Sequence, residues 1–329
     1  MAQIYVRGTG SYLPEKVLTN LDLQKIMDTS DEWIFKRTGI RERRVAAQDQ
    51  AASDLALPAC RAAIERAGLT AADIGLIIMA TITPDTQCPA GANWLQAKLN
   101  ASQALTFDIT AACSGFIFGI HAAEKFLMNG FCENALVVGS EVMTKATDWT
   151  NRSNAILWGD GAGAVVLSTT GDPGHTLLSV HAHTDGANGQ NLLVPGGGSL
   201  TTPINHESIN QKKHTILLIE PSATMRVAVN HFAEACHEAV QANGLAIQDI
   251  DWFIPHQANM RIVKAVAKRL KVDMDRFYMT IEKYGNMSSA SCAVAFDEAE
   301  QTGALKKGDL VCLTVFGGGL TRASALIRW

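Results

Sequence analysis

Three observations predict an α/β fold made of two similar halves. Short apolar runs alternate with longer segments of helical period along the whole chain, the pattern of buried sheets layered with helices. Landmarks of the first half recur in the same order in the second. Of the 329 residues, 47% are hydrophobic and 18% charged, enough to bury a large core without disulfide or metal staples.

The strand candidates are 1–9, 74–81, 135–139, 163–167, 252–254 and 310–315, several rich in Val and Ile and bounded by polar residues or glycine. Helical period marks 53–67 and 227–243. The repeat is specific. Gly68-Leu69 followed by Asp73-Ile74 opens one strand, and Gly244-Leu245 followed by Asp249-Ile250 opens another, 176 positions later. Cys60 stands opposite Cys236 in the preceding helices, the Trp158-Gly-Asp-Gly run mirrors Phe316-Gly-Gly-Gly, and 134–139 matches 308–313. The halves are expected at 1–172 and 173–329, joined near 171–179, with ligand loops at strand ends where they meet. The stretch 185–211, rich in Gly, Asn, Thr and Pro, reads as a surface loop.

Composition excludes some functions. The net charge is −4 and aromatics are 6%, so neither an overall basic balance nor abundant stacking rings point to nucleic acid. The seven cysteines form no Cys-x-x-Cys pair, which speaks against zinc and against a disulfide framework and for a reducing cytoplasm. No apolar run approaches the ~18 residues of a membrane span, and no signal-peptide pattern opens the chain.

Candidate chemistry centres on Cys113, in Asp108-Ile-Thr-Ala-Ala-Cys-Ser-Gly-Phe. The pattern reads as a strand, a tight turn and a helix beginning at the cysteine. That geometry exposes a nucleophile and favours thiolate at the positive end of the helix dipole. An inert buried cysteine is the competing interpretation, and it suits the other six. His256 emerges at a strand end after Pro255, and a capping histidine is its alternative. An offset of 174 takes Cys113 to position 287, next to Asn286, so the two would occupy matching corners of the halves; Asn286 too could simply cap a helix. The glycines of Phe316-Gly-Gly-Gly lack a Walker lysine and suit exposed backbone N–H groups beside a reacting carbonyl. Gly159-Asp160-Gly161 reads as a structural turn. Segment 29–44 carries Trp33 with Arg37, Arg41, Arg43 and Arg44, either a solvated helix end or a phosphate-binding surface beside an aromatic face.

Taken together and in order, these motifs closely resemble the β-ketoacyl-ACP synthase III family of the thiolase-like superfamily, over nearly the whole chain. They are Asp31-Glu-Trp-Ile, Arg37-Thr-Gly-Ile-Arg-Glu-Arg, the Cys113 run, Trp158-Gly-Asp-Gly-Ala-Gly-Ala, Pro255-His-Gln-Ala-Asn, Tyr284-Gly-Asn and Phe316-Gly-Gly-Gly. The resemblance implies a thiolase-like five-layered αβαβα fold, a cytoplasmic homodimer, and a Cys113–His256–Asn286 site. The implied reaction loads an acyl group from acyl-CoA onto Cys113 and condenses it with malonyl-ACP. The backbone N–H groups of Cys113 and Gly318 would form an oxyanion hole, with no metal or redox cofactor. It further implies that Trp33, Arg37, Arg152 and Asn259 bind CoA. Arg226 and Arg261, with Lys264 and Lys268, would face the acyl carrier protein, and Cys88 and Phe316 would line acyl pockets, Cys88 that of the partner subunit.

The chain departs from the family pattern at 219–225, at Thr321-Arg-Ala-Ser, at Met287 and at Cys88. The first departure leaves open a starter-unit enzyme of polyketide or quinolone metabolism. A catalytically dead partner subunit is opposed by the intact Cys113, His256 and Asn286. A degradative thiolase is opposed by the lack of a cysteine after Cys312.

Overall fold

The computed structural model describes residues 3–199, 205–218 and 221–329. Nine strands carry the architecture: β1 (Ile4–Tyr12), β2 (Leu76–Ala80), β3 (Leu105–Ile109), β4 (Asn134–Val142), β5 (Asp160–Ser168), β6 (Thr176–Thr184), β7 (Trp252–Pro255), β8 (Leu310–Gly317) and β9 (Thr321–Arg328). Outward from one seam the first half runs β1-β5-β4-β2-β3, and the second runs β6-β9-β8-β7. A parallel bridge between Phe253 and Phe277 then occupies the place of a third strand in the second half. Both halves repeat the sequence antiparallel, antiparallel, parallel, parallel. The halves meet where β1 pairs antiparallel with β6, at Ile4–Leu177 and Tyr5–Thr176.

Three apolar clusters explain the layering. One outer layer is α2 (Ala52–Arg66) and α3 (Gly91–Leu99), packed on first-half strands through Leu55, Cys60, Ile77 and Leu95. The other is α5 (Pro221–Ala242) and α6 (Met260–Leu270), packed on second-half strands through Phe232, Cys236, Phe253 and Val263. Between the two sheets lie α4 (Gly115–Met128) and α7 (Ala290–Gln301), whose Phe116, Ile117 and Phe296 join strands of both halves. The order is helix, sheet, helix, sheet, helix. A middle helix must bury residues all round: α4 is accordingly strongly apolar, and α7 buries nine of its twelve residues. Burying each such side chain contributes roughly 1.5–3 kcal/mol.

Close approach of α7 needs glycine. A Cβ at Gly139 on β4 would lie 2.7 Å from the Ser289 carbonyl oxygen, so any larger residue would push the start of α7 away. Asp297 of α7 is buried but matched: it accepts from Thr9 (2.7 Å) and Ser11 (2.5 Å) of β1 and pairs with Arg66 at 2.5 Å.

Some segments differ from expectation. The stretch 185–211 is more than a surface loop. It holds a 3-10 turn, Gly186–Asn191, a two-residue strand, Leu192–Leu193, and a helical turn, His206–Asn210, and Leu192 reaches the central cavity. Of the departure at 219–225, residues 219 and 220 and the side chains of 221–224 lie outside the described residues, whereas Met225 lines the central cavity. In 29–44, α1 (Asp31–Thr38) is followed by a short strand, Glu42–Val45. Arg43 is not part of a phosphate-binding surface. It is completely buried and donates to the Leu18 and Ile156 carbonyls and to Asn20 Oδ1, tying α1's neighbourhood to the 152–156 turn. Met287 is likewise core, packed with Tyr284, Ala290 and Val294.

Candidate active site

Three strand ends converge on one cavity of about 460 Å³. After β3 the chain reaches Ala112 at φ +45°, a left-handed conformation unusual for a residue with a side chain, then a 3-10 turn, Ala112–Ser114, and α4. This sharp corner places Cys113 at the helix start, as the residue pattern predicts. The matching corner of the second half repeats the device: Ser288 sits at φ +48° just before α7. His256 ends β7, its backbone N–H donating to the Thr314 carbonyl on β8 at 2.8 Å.

The capping alternatives are settled by the geometry. Asn259, not His256, caps α6, accepting from the Arg261 N–H at 2.8 Å. Asn286 does not cap α7; its Oδ1 accepts the Ser288 N–H at 2.8 Å, and its backbone is clamped by Leu157 and Gly159. With Oδ1 occupied, the amide NH₂ of Asn286 is the group left to donate into the cavity. Both ring nitrogens of His256 are buried without a partner, a costly state unless an incoming group uses them.

Electrostatics correct one expectation. Burial pushes the Cys113 thiol up to about 12, with the Glu141 charge adding to the rise and the Ser288 hydroxyl opposing it. Desolvation therefore opposes the helix dipole at this corner and favours the thiol over the thiolate. Burial also pulls His256 down to about 3, so the imidazole is neutral across the physiological range. This fixes a stability effect. The unfolded chain takes up a proton on this histidine near its ordinary 6.5, whereas the folded chain waits until about 3. Stability is unaffected above that ordinary value and falls as pH drops between the two. At pH 5 the loss from this group is about 2 kcal/mol, at ~1.4 kcal/mol per pH unit. Urea titrations at pH 7.5 and pH 5 should show wild type losing that much more than His256→Asn; parallel losses would contradict a neutral buried imidazole.

The hairpin between β8 and β9 closes over the nucleophile. A Cβ at Gly317 would lie 3.0 Å from the Cys113 nitrogen and 2.9 Å from the Ser114 nitrogen, which is why glycine is needed there. Thr321 donates to Ser114 at 2.9 Å and to the Gly318 carbonyl at 3.2 Å, pinning the hairpin to the Cys113 turn. Gly318 and Phe316 both line the cavity.

Toward solvent the cavity is lined by Trp33, Arg37, Asn259 and Arg261. The Arg37 guanidinium stands 4.0 Å from the Trp33 ring centre and that of Arg152 at 4.5 Å, so two cations and an aromatic ring cluster at the mouth. Arg152 and Arg226 do not line the cavity; both are exposed. Arg261, Lys264 and Lys268 project from α6 as exposed cations. Cys88 is exposed and does not line this chain's cavity. Glu141 and Ser288 are at the site but escaped sequence reasoning. The available signal was a lone acid in the apolar run ending β4.

A buried cysteine between two pseudo-symmetric α/β halves, sharing one cavity with a histidine and an asparagine, is the arrangement of a thiolase-like condensing enzyme. Two family descriptions match: "3-Oxoacyl-[acyl-carrier-protein (ACP)] synthase III" over residues 107–186, and the C-terminal part of the same enzyme over 240–329. The chain is 47% identical over 324 residues to the beta-ketoacyl-[acyl-carrier-protein] synthase III of Caldanaerobacter subterraneus, covering 98% of this chain and 97% of that one. The 3-oxoacyl-[acyl-carrier-protein] synthase III structure from Aquifex aeolicus superposes with a TM-score of 0.90 at 38% identity, covering 99% of this chain and 100% of that one. The priming beta-ketosynthase of the R1128 polyketide pathway gives 0.90 at 32% identity, with 98% and 96% covered. The protein belongs to the β-ketoacyl-ACP synthase III family.

Proposed function

We propose that Cys113, His256 and Asn286 carry out the decarboxylative condensation of an acyl-CoA primer with malonyl-ACP that initiates fatty-acid synthesis. The observation that carries this reading is the convergence of those three side chains on one cavity whose mouth is lined by Trp33 and Arg37. Family membership supports it, and curated relatives bearing the β-ketoacyl-ACP synthase III name are more similar to the chain than the R1128 priming enzyme is.

Cys113 Sγ attacks the primer thioester, CoA leaves, and the acyl group stays on the enzyme. Malonyl-ACP then enters. Its thioester oxygen accepts from His256 and the Asn286 amide as CO₂ departs and enolate charge grows, and neutral donors aimed at that charge stabilise it without proton transfer. The carbanion attacks the acyl carbonyl, and the Cys113 and Gly318 N–H groups hold the oxyanion. This chemistry calls for no metal or redox cofactor.

Trp33 with Arg37 and Arg152 would bind the CoA nucleotide, an adenine ring displacing one guanidinium from the stack, and Asn259 would line the pantetheine path. The exposed cations Arg226, Arg261, Lys264 and Lys268 suit an acidic carrier protein. We further place the two halves at 1–172 and 173–329, the enzyme in the cytoplasm, and the functional unit as a homodimer in which Cys88 enters the partner's acyl pocket. Among the described residues no helix is long and apolar enough to cross a membrane.

The direct test is intact-protein mass spectrometry after mixing the enzyme with a panel of acyl-CoAs, then chasing with malonyl-ACP. A shift that maps to Cys113 and is discharged as a β-ketoacyl product is expected. Discharge by malonyl-CoA alone would transfer the enzyme to starter-unit chemistry. The small Cys88 leaves room in the proposed acyl pocket. Primers longer than acetyl, or branched, should therefore give the higher kcat/KM in the same panel. Acetyl-CoA outcompeting every longer primer would remove Cys88 from that role.

A further inference from the structure

Gln257 follows His256 and is completely buried, an amide inside the protein that the chemistry above leaves unused. Its side chain makes four hydrogen bonds, which fills the capacity of an amide. Nε2 donates to the Pro255 carbonyl at 2.9 Å and to the Tyr278 carbonyl at 3.2 Å. Oε1 accepts from the Thr280 N–H at 3.1 Å and from the Ile281 N–H at 3.2 Å. The backbone explains why a side chain is needed here. β7 pairs with β8 on one side, where the His256 N–H donates to Thr314. On its other side it bridges to Phe277, and the Tyr278 N–H donates to the Phe253 carbonyl at 2.9 Å. A parallel ladder would continue with the N–H of residue 255 donating to the Tyr278 carbonyl. Residue 255 is proline and has no N–H. The Gln257 amide supplies the missing donor from two residues further along.

The two sides of this clamp lead to the two donors of the proposed condensation. On one side stands His256, between Pro255 and Gln257. Among the described residues neither of its ring nitrogens has a hydrogen-bond partner, so the imidazole is placed by its backbone and its packing rather than by a bond to the ring. On the other side Oε1 caps the helical turn Ile281–Tyr284, whose own N-cap residue, Thr280, makes no side-chain cap bond. Ile281 and Tyr284 are buried, which seats the turn against the core. Gly285 at φ +65° ends it, and Asn286 follows with its N–H held by the Leu157 carbonyl at 2.8 Å. One buried amide therefore joins the strand end that carries His256 to the turn that delivers Asn286.

We propose that Gln257 is a positioning residue that sets the spacing of the His256 and Asn286 N–H donors, and thereby serves decarboxylative condensation rather than acylation of Cys113. Both donors must reach one thioester oxygen as enolate charge grows, and a misplacement of about 1 Å in such a site costs on the order of 10²-fold. Gln257 does not line the cavity, so it acts through the residues it holds. Cys113 stands apart from this clamp. It comes from the corner between β3 and α4, and none of the four Gln257 bonds reaches that corner. This role rests on His256 and Asn286 being the donors of the proposed reaction.

The test follows both half-reactions in the full-length enzyme: rapid-quench intact mass for Cys113 acylation by acetyl-CoA and butyryl-CoA, and CO₂ release from malonyl-ACP. Gln257→Glu keeps the shape and the accepting oxygen but sets a second oxygen against the Pro255 and Tyr278 carbonyls. It should slow decarboxylative condensation about 10²-fold at saturating malonyl-ACP, with half-saturation nearly unchanged, and leave acylation within about threefold of wild type. Adding Pro255→Ala to that variant restores a backbone N–H at the ladder position and should recover part of the condensation rate, which a general loss of structure would not allow. Condensation within about threefold of wild type, equal losses in both half-reactions, or no recovery on adding Pro255→Ala would overturn the assignment. If Gln257→Glu fails to fold, Gln257→Met, of similar length and uncharged, is read in the same way. Wild type that never loads Cys113, or His256→Ala that condenses at the wild-type rate, would reject the proposed function itself rather than the part Gln257 plays in it.

Discussion

Cys113→Ala is expected to give a folded enzyme that takes up no acyl group from any acyl-CoA and loses condensation by about 10⁴-fold or more, as removal of a covalent nucleophile does. The fold should tolerate the change. Cys113 is buried, alanine is smaller, and the corner's conformation is set by Ala112 at φ +45° and by the start of α4. Decarboxylation of malonyl-ACP should survive at a measurable rate, because His256 and Asn286 keep their positions on β7 and before α7. Intact mass and CO₂ release, measured on the same sample, separate the two half-reactions. A retained acyl increment on Cys113→Ala would show that another nucleophile carries the group; exposed Cys88 would be the first to map. Loss of CO₂ release together with acylation would mean that the sulfur, and not only the donor pair, is needed to break the malonyl group.

Much of this site is legible in the sequence because its parts are strand ends, and strand ends are marked by local chemistry. Pro255 stops β7 and leaves His256 at its tip; small residues either side of Cys113 permit the corner before α4. Duplication then supplies long-range information that periodicity alone cannot. An offset of 174, close to the 176 that separates the paired Gly-Leu landmarks, predicts that Cys113 and Asn286 occupy matching corners, and the topology places them after the third strand position of each half. What escapes is whatever depends on burial. Arg43 is indistinguishable in sequence from Arg37 and Arg41, yet it is a buried clamp, while Arg37 stacks on Trp33 and Arg41 pairs with Asp31 and Glu282. The thiol state of Cys113 escapes for the same reason. A helix start argues for thiolate, and only the depth of the pocket reveals the opposing desolvation. The stretch 185–211 has turn composition throughout, and nothing local in Leu192 announces that it folds inward.

The second large effect concerns the division of labour at the cavity. His256→Ala and Asn286→Ala should each leave the rate of Cys113 acylation within about tenfold of wild type while slowing decarboxylative condensation by 10²–10³-fold, the typical cost of removing one donor from a site of developing negative charge. The asymmetry follows from the resting hydrogen bonds. His256 has two buried ring nitrogens without partners and Asn286 has its Oδ1 committed, so what each offers a ligand is an uncharged N–H. An N–H of that kind stabilises an enolate oxygen, but a neutral imidazole whose charged form is opposed by burial gives little help in taking a proton from Cys113. His256→Asn should then recover part of the condensation rate, since an amide can replace one uncharged donor with another, and the rate should not depend on pH across the ordinary histidine range. Pre-steady-state acylation and CO₂ release on the three variants measure the split. If either alanine variant blocks labelling of Cys113 as fully as Cys113→Ala does, the histidine or asparagine acts in the first half-reaction.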